Sequence, residues 1–225
     1  MIPISDRART RHFPVINYTL ILVTVLIFLY EISLSARALD RFILEWGAVP
    51  ALVLAYLSGT SHDPHVPWTL VTSVFLHAGW LHLLGNMLFL WVFGDNVEDS
   101  MGHLRYLIFY LICGAAAALA QMLIFPDSHV PLVGASGAIA GVLGAYLILH
   151  PTASVTVLVP ILLFLPINIP AFIVLALWFV TQFFNGLAAI TATSHVTGGT
   201  GWWAHIGGFV LGAFLIFFFR RRRRY

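Results

Sequence analysis

Residues 134–149 read Gly134-Ala135-Ser136-Gly137-Ala138-Ile139-Ala140-Gly141-Val142-Leu143-Gly144-Ala145-Tyr146-Leu147-Ile148-Leu149, an apolar run with one hydroxyl beside a face of Gly and Ala. Side chains this small let two helix backbones approach where no hydrophobic force drives them together, which is the packing problem of a lipid bilayer. The surroundings agree: between Arg105 and the C-terminus the only acid is Asp127. Of the 225 residues 60% are hydrophobic and 9% charged, against roughly 25% charged in an ordinary soluble domain. Mean hydropathy is +0.94. A water-soluble globule is excluded, and the length fits one polytopic all-α membrane domain.

Working outward, six apolar stretches are near the length of a membrane crossing: 15–33, 76–93, 104–125, 136–149, 170–189 and 202–219. The fifth has an apolar lead-in, 153–166, broken by Pro160 and Pro166. All eleven cations are Arg, and eight sit at the ends, at Arg7, Arg9, Arg11 and Arg220 to Arg224. An even count of crossings puts both ends on one side, and every Arg except Arg37 and Arg41 then faces the cytoplasm. The expected layout is a cytoplasmic N-terminus (1–14), a six-helix membrane domain (15–219) and an Arg-rich cytoplasmic tail (220–225) suited to anionic lipid headgroups. The Arg-rich start also fits a signal-peptide n-region with a cleavage-like site at Ser33-Leu34-Ser35-Ala36, but a retained first helix is expected. The connection 36–67 is too apolar for a solvated loop and is expected in the outer interface, with Trp46 and Tyr56 at headgroup level. Loops 126–133 and 186–201 are expected outside. A net charge of +2 argues against a nucleic-acid partner, and the single Cys113 excludes an intrachain disulfide framework and a Cys-based zinc site. No cofactor or metal is called for.

Polar groups at membrane depth are costly, and each is a functional hypothesis. His82 and Asn86, four apart, share a helix face, whereas His77 on the same helix would point about 140° away from His82 and be a poor joint ligand with it. Counted at 1.5 Å per residue, His82 lies about 20 Å from Asp95, Ser136 about 21 Å from His150 and His205 about 22 Å from Arg220. Three helices thus bring polar groups to one level, about 10 Å below the outer surface of a core about 30 Å thick. Gly137 and Gly141 form a small-xxx-small pair, answered on the last helix by Gly208 and Gly212 on the face of His205.

Each residue alone has a blander reading. A membrane Ser is usually a packing residue, Asn86 can tie helices together and His205 can relay protons. His62, His65, His129 and His195 read as solvated, His103 and His150 as interfacial, and Cys113 as a small core residue. The combination reads differently. Serine needs a base, and His205 is available at equal depth; with no carboxylate nearby the unit is a Ser136-His205 dyad. The Ser136 N-H at a helix start, with His82 and Asn86, can bind an oxyanion. A transporter or channel is the rival, but the chain lacks repeat symmetry and paired midplane charges.

At these residues the sequence resembles the rhomboid intramembrane serine proteases. Gly134-Ala135-Ser136-Gly137 matches the GxSG motif, His82 to Asn86 the HxxxN motif with the earlier His77, and Ala204-His205 with Gly208 and Gly212 the last helix. The resemblance implies a six-helix bundle, Ser136 as nucleophile, His205 as general base, and Asn86 and His82 at the oxyanion hole. It also implies a structural role for Glu98 and Arg105, a laterally inserted loop at 36–67, a cap loop at 186–201, and transmembrane protein substrates cut in or near a helix. A non-catalytic, helix-binding relative is the alternative within the family. Two positions depart: Trp68-Thr69 stands where many relatives have Trp-Arg, and Ala140 where some have an aromatic that stacks on the catalytic His.

Overall fold

The computed structural model describes residues 1–159, 165–191 and 201–221. Part of the lead-in (160–164), most of the predicted outer loop with His195 (192–200) and Arg222 to Arg224 lie outside the described residues. In chain order the elements are β1 (Ile2–Asp6), α1 (Val15–Ser33), α2 (Ala36–Trp46), α3 (Pro50–Leu57), α4 (Thr69–Thr72), α5 (Trp80–Met101), α6 (His103–Ile124), α7 (Ser136–Leu149), β2 (Ser154–Val159), β3 (Leu165–Pro170), α8 (Ala171–Thr191) and α9 (Trp202–Phe219).

All six apolar stretches are helical, but they are not six equal crossings. By length and composition α1, α6, α8 and α9 can each span a membrane, and α5 joins Val66–Phe75 across an 82° bend to make a fifth, broken span. At 14 residues, α7 is shorter. Its start is set inside the protein, where the Gly134 N-H donates to the Ser73 carbonyl at 2.9 Å; irregular backbone at membrane depth is tolerated where protein buries it. Exposed Leu22, Leu26, Ile108, Leu177 and Phe214 give the outer surface the apolar character that lipid requires.

At the centre stands α7, with every residue from Gly137 to Tyr146 buried, packed against α9, α6 and α5. Its seam with α9 runs parallel. A β-carbon on Gly208 would collide with the Gly137 carbonyl oxygen, one on Gly212 with the Gly141 carbonyl oxygen, and one on Gly144 with the Phe209 carbonyl oxygen. Two backbones so close gain dispersion and Cα-H···O contacts that no larger residue permits.

Three expectations need correction. The second stretch, expected over 76–93, forms a helix over Trp80–Met101, because its acids have partners. Both Glu98 carboxylate oxygens accept backbone N-H groups at the start of α1, from Ile16 at 2.9 Å and Asn17 at 2.7 Å, where an anion suits the helix dipole. His103 Nδ1 also approaches Glu98 at 2.5 Å. Arg105 reaches the Phe219 carbonyl at the end of α9 at 3.5 Å. Second, the lead-in to α8 is not an apolar approach but the hairpin β2-β3, with Val155 and Val157 buried, and β1 adds to it in the order β1-β2-β3. The helical bundle therefore carries a small antiparallel sheet beside it. Tyr146 of α7 donates its hydroxyl to the Asp6 carboxylate of β1, and Asn96 Nδ2 reaches the same oxygen at 3.0 Å. Third, 186–191 belongs to α8 and not to a loop. Within 36–67, α2 and α3 fold onto the bundle: Thr72 Oγ1 donates to the Trp46 carbonyl at 2.7 Å and Ala48 pairs with Leu132. Thr69, in the Trp68-Thr69 pair noted above, is buried and donates to the Val66 carbonyl at 2.7 Å.

Candidate active site

Gly134 precedes α7 with φ +124°, a left-handed conformation that side chains disfavour. A β-carbon there would meet His82 Nε2 at 2.7 Å and Asn86 Nδ2 at 3.7 Å. Glycine is required twice over, by its dihedral and by the two side chains against it. Next along the chain, Ala135 caps α7 and Ser136 is its first residue, half-buried. The N-H groups of Ser136, Gly137 and Ala138 have no intrahelical acceptor in the first turn. His82 and Asn86 thus converge on the loop that also presents these donors.

The proton positions at this cluster follow from its acceptors. The Asn86 amide nitrogen lies 2.9 Å from His77 Nε2, which must accept, so His77 Nδ1 carries the proton and faces the Phe75 carbonyl at 3.3 Å. The Ala78 N-H points to His82 Nδ1 at 3.4 Å, which leaves the proton of a neutral His82 on Nε2, beside Gly134. His77 is not on α5. It precedes the helix start at Trp80, and its ring stands 4.9 Å from that of His82. A regular helix does not extend back through residue 77: the chain bends there, and His77 turns in to join the group. Glu31 of α1 fixes the bend, its carboxylate oxygens 3.2 and 3.4 Å from the His77 N-H.

His205 lies on α9 three residues before Gly208, which packs against Gly137, the residue after Ser136. A β-carbon on Gly137 would stand 3.9 Å from that of Ala204. The His205 Nε2 atom is buried and has no hydrogen-bond partner among the described residues. Nδ1 faces Gln182 Oε1 at 2.8 Å. The helix start that carries His205 is held by Gln121 of α6, whose Oε1 accepts from the Trp203 N-H at 3.0 Å and the Ala204 N-H at 3.3 Å. Trp178 of α8 lies beside the imidazole, centroids 5.7 Å apart and planes at 34°. With Ala140 offering no ring from α7, the aromatic neighbour comes from α8.

Four residues escaped the sequence reading: Glu31, Gln121, Trp178 and Gln182. Three were findable, since Glu31, Gln121 and Gln182 are polar groups inside apolar stretches and the depth argument applies to them as it does to Asn86. Trp178 carried no signal in a run rich in aromatics. No group of three or more His, Cys, Asp or Glu able to hold a metal occurs among the described residues.

An arrangement of a hydroxyl at a helix start, an imidazole with a free buried nitrogen and convergent N-H donors can perform acyl transfer. The rhomboid domain family matches residues 64–222. The rhomboid protease GluP of Bacillus subtilis is 45% identical over 80 residues, 36% of this chain and 15% of that protein. YdcA, a rhomboid relative from the same organism, is 31% identical over 137 residues, 61% of this chain and 63% of its own length. The chloroplastic Rhomboid-like protein 11 of Arabidopsis thaliana is 44% identical over 71 residues, 32% of this chain and 25% of that protein.

Proposed function

Because the chain belongs to the rhomboid family, a family of multi-pass membrane proteins, we propose that it is an intramembrane serine endopeptidase in which Ser136 and His205 form the catalytic dyad. What supports this reading is the buried Nε2 of His205, which has no hydrogen-bond partner among the described residues, on a helix whose Gly208 packs against Gly137, the residue after Ser136. Ser136 Oγ attacks the scissile carbonyl while Nε2 takes its proton. The oxyanion is received by the Ser136 N-H with Asn86 and His82. His205 then gives the proton to the leaving amine, and a water activated by the same nitrogen releases the acyl group. The substrates are transmembrane proteins, cut where small residues weaken their helix. Water enters from the outer side of an inner or plasma membrane, both termini are cytoplasmic, and the membrane domain runs over 15–219 with the Arg tail on anionic lipid.

A serine-directed fluorophosphonate tests this directly. Labelling at Ser136, lost in Ser136→Ala together with cleavage of a membrane substrate, is the expected result. A folded wild-type protein that resists the probe would instead support a non-catalytic, helix-binding relative, and proteolysis surviving in Ser136→Ala would remove Ser136 from the mechanism.

A further inference from the structure

We propose that Gln182 is a positioning residue for His205, an uncharged third member that fixes the tautomer of the base. The proposal rests on the protease reading and extends it. The Gln182 side chain is buried on α8, and its two ends are distinguished by their surroundings. Nε2 lies 3.1 Å from the Trp178 carbonyl one turn back, and 3.1 Å from Thr181 Oγ1. That hydroxyl itself donates to the Trp178 carbonyl at 2.6 Å, so its lone pairs are free for the amide. With its NH2 end held this way, Gln182 presents Oε1 to His205 Nδ1 at 2.8 Å. A carbonyl oxygen only accepts, so Nδ1 carries the proton and the lone pair sits on Nε2, the atom left without a partner. Trp178 confines the ring plane from one side, and Trp202 approaches edge-on at 6.1 Å and 89°.

An amide suits this depth better than the carboxylate of a Ser-His-Asp triad. A carboxylate inside the bilayer is costly without a partner charge, whereas an amide oxygen selects the tautomer at no charge, as the Asn of papain-like proteases does for its His. The choice limits how far the imidazolium is stabilised during attack. Among the described residues, the titratable group acting on the charge of His205 from a neighbouring element is His82 of α5. Gln121 of α6, Ser136 of α7 and Trp178 and Gln182 of α8 bring no charge to this end of α9.

The first test needs no variant: 15N spectra of histidine-labelled protein in the Ser136→Ala background, in detergent, should show neutral His205 with its proton on Nδ1. A proton on Nε2 would overturn the proposal, whatever the fate of the protease reading, because the measurement does not depend on activity. Gln182→Leu should lower kcat on the order of 10- to 100-fold with KM nearly unchanged, and should yield a mixture of tautomers. Gln182→Glu should recover part of kcat while moving the acidic limb of the kcat/KM profile upward by about one pH unit or more, since a nearby carboxylate favours the imidazolium. Wild-type kcat and an unchanged tautomer in folded Gln182→Leu would overturn it. Should Gln182→Leu fail to fold, the spectrum of the wild-type histidine and the Gln182→Glu profile still decide. Cleavage persisting in Ser136→Ala would defeat the protease reading alone.

Discussion

The carbonyl oxygen of Gly141 occupies the space that a β-carbon on Gly212 would need. The two backbones are therefore as close as helices allow, and the seam has no give, since the atom in the way is main chain. Gly212→Ala gains about 1 kcal/mol of helix propensity but forces α7 and α9 apart, and overpacking of this kind typically costs about 1–3 kcal/mol. We expect a lower melting temperature in detergent. Gly85 of α5 is the control: it has nothing within 4 Å of its would-be β-carbon, so Gly85→Ala should keep the propensity gain and melt at or above wild type. Equal melting of the two variants would show that the seam is looser than described.

Asn86 should matter more in the transition state than in the bound substrate. With Asn86→Ala, kcat should fall on the order of 10- to 1000-fold with KM little changed, because the backbone donors and His82 remain. Its second role is to hold His77, so some thermal stability should be lost as well. Turnover per folded molecule and melting temperature, read on one preparation, separate the effects; an unchanged kcat would leave Asn86 a structural tie only.

Stability should carry a signature of Asp6, which lies outside the membrane-spanning helices. Burial is the main cause that raises its carboxyl above the ordinary 3.8, and the hydrogen bond from Tyr146 opposes it. A folded value above the unfolded one favours the protonated fold. The stabilisation is full below about pH 3.8 and is lost as pH rises through the folded value. Asp6→Asn stays neutral, so its melting temperature relative to wild type should climb between acid and neutral pH. A constant difference across that range would mean that Asp6 is solvated.

Orientation can be read chemically once Cys113, the only cysteine, is replaced. Cys113→Ala should be tolerated apart from a small packing loss, since the thiol is buried against the seam near Gly141. Single cysteines placed at Arg9 and Arg221 should then react with an impermeant maleimide only from the cytoplasmic side. A label reaching either from outside would reverse the proposed topology.

How much was legible depended on whether a residue's role was local. The bounds of α1, α7 and α9 fall at Val15, Ser33, Ser136, Leu149, Trp202 and Phe219 as the apolar runs suggest, because hydropathy changes where the helix does. Glu98 ends the apolar run but not the helix, since its partners, the N-H groups of α1, lie far away in sequence. The hairpin was hidden for the same reason: Val155 and Val157 read as apolar approach until β1 arrives beside them. Among the candidate site residues, His82, Asn86, Ser136 and His205 stand out in the sequence by depth and spacing. His77 was misplaced because a bend cannot be seen from periodicity, and Gln182 became informative only once α8 was set against α9.

The pairing of Ile2 with Leu158 and of Asp6 with Val155 also sets an order of assembly. The first strand leaves the ribosome long before its partner, and α1 and α5 to α7 are synthesised before β2 exists to receive it. Until then Ile2 and Ile4 are an unpaired strand edge, the kind of surface that chaperones hold and that misassembles when synthesis outruns insertion. By chain order its closure, which joins Ile2–Asp6 to the segment between α7 and α8, follows the synthesis of α5 and α7 with His82, Asn86 and Ser136, and does not wait for α9 and His205.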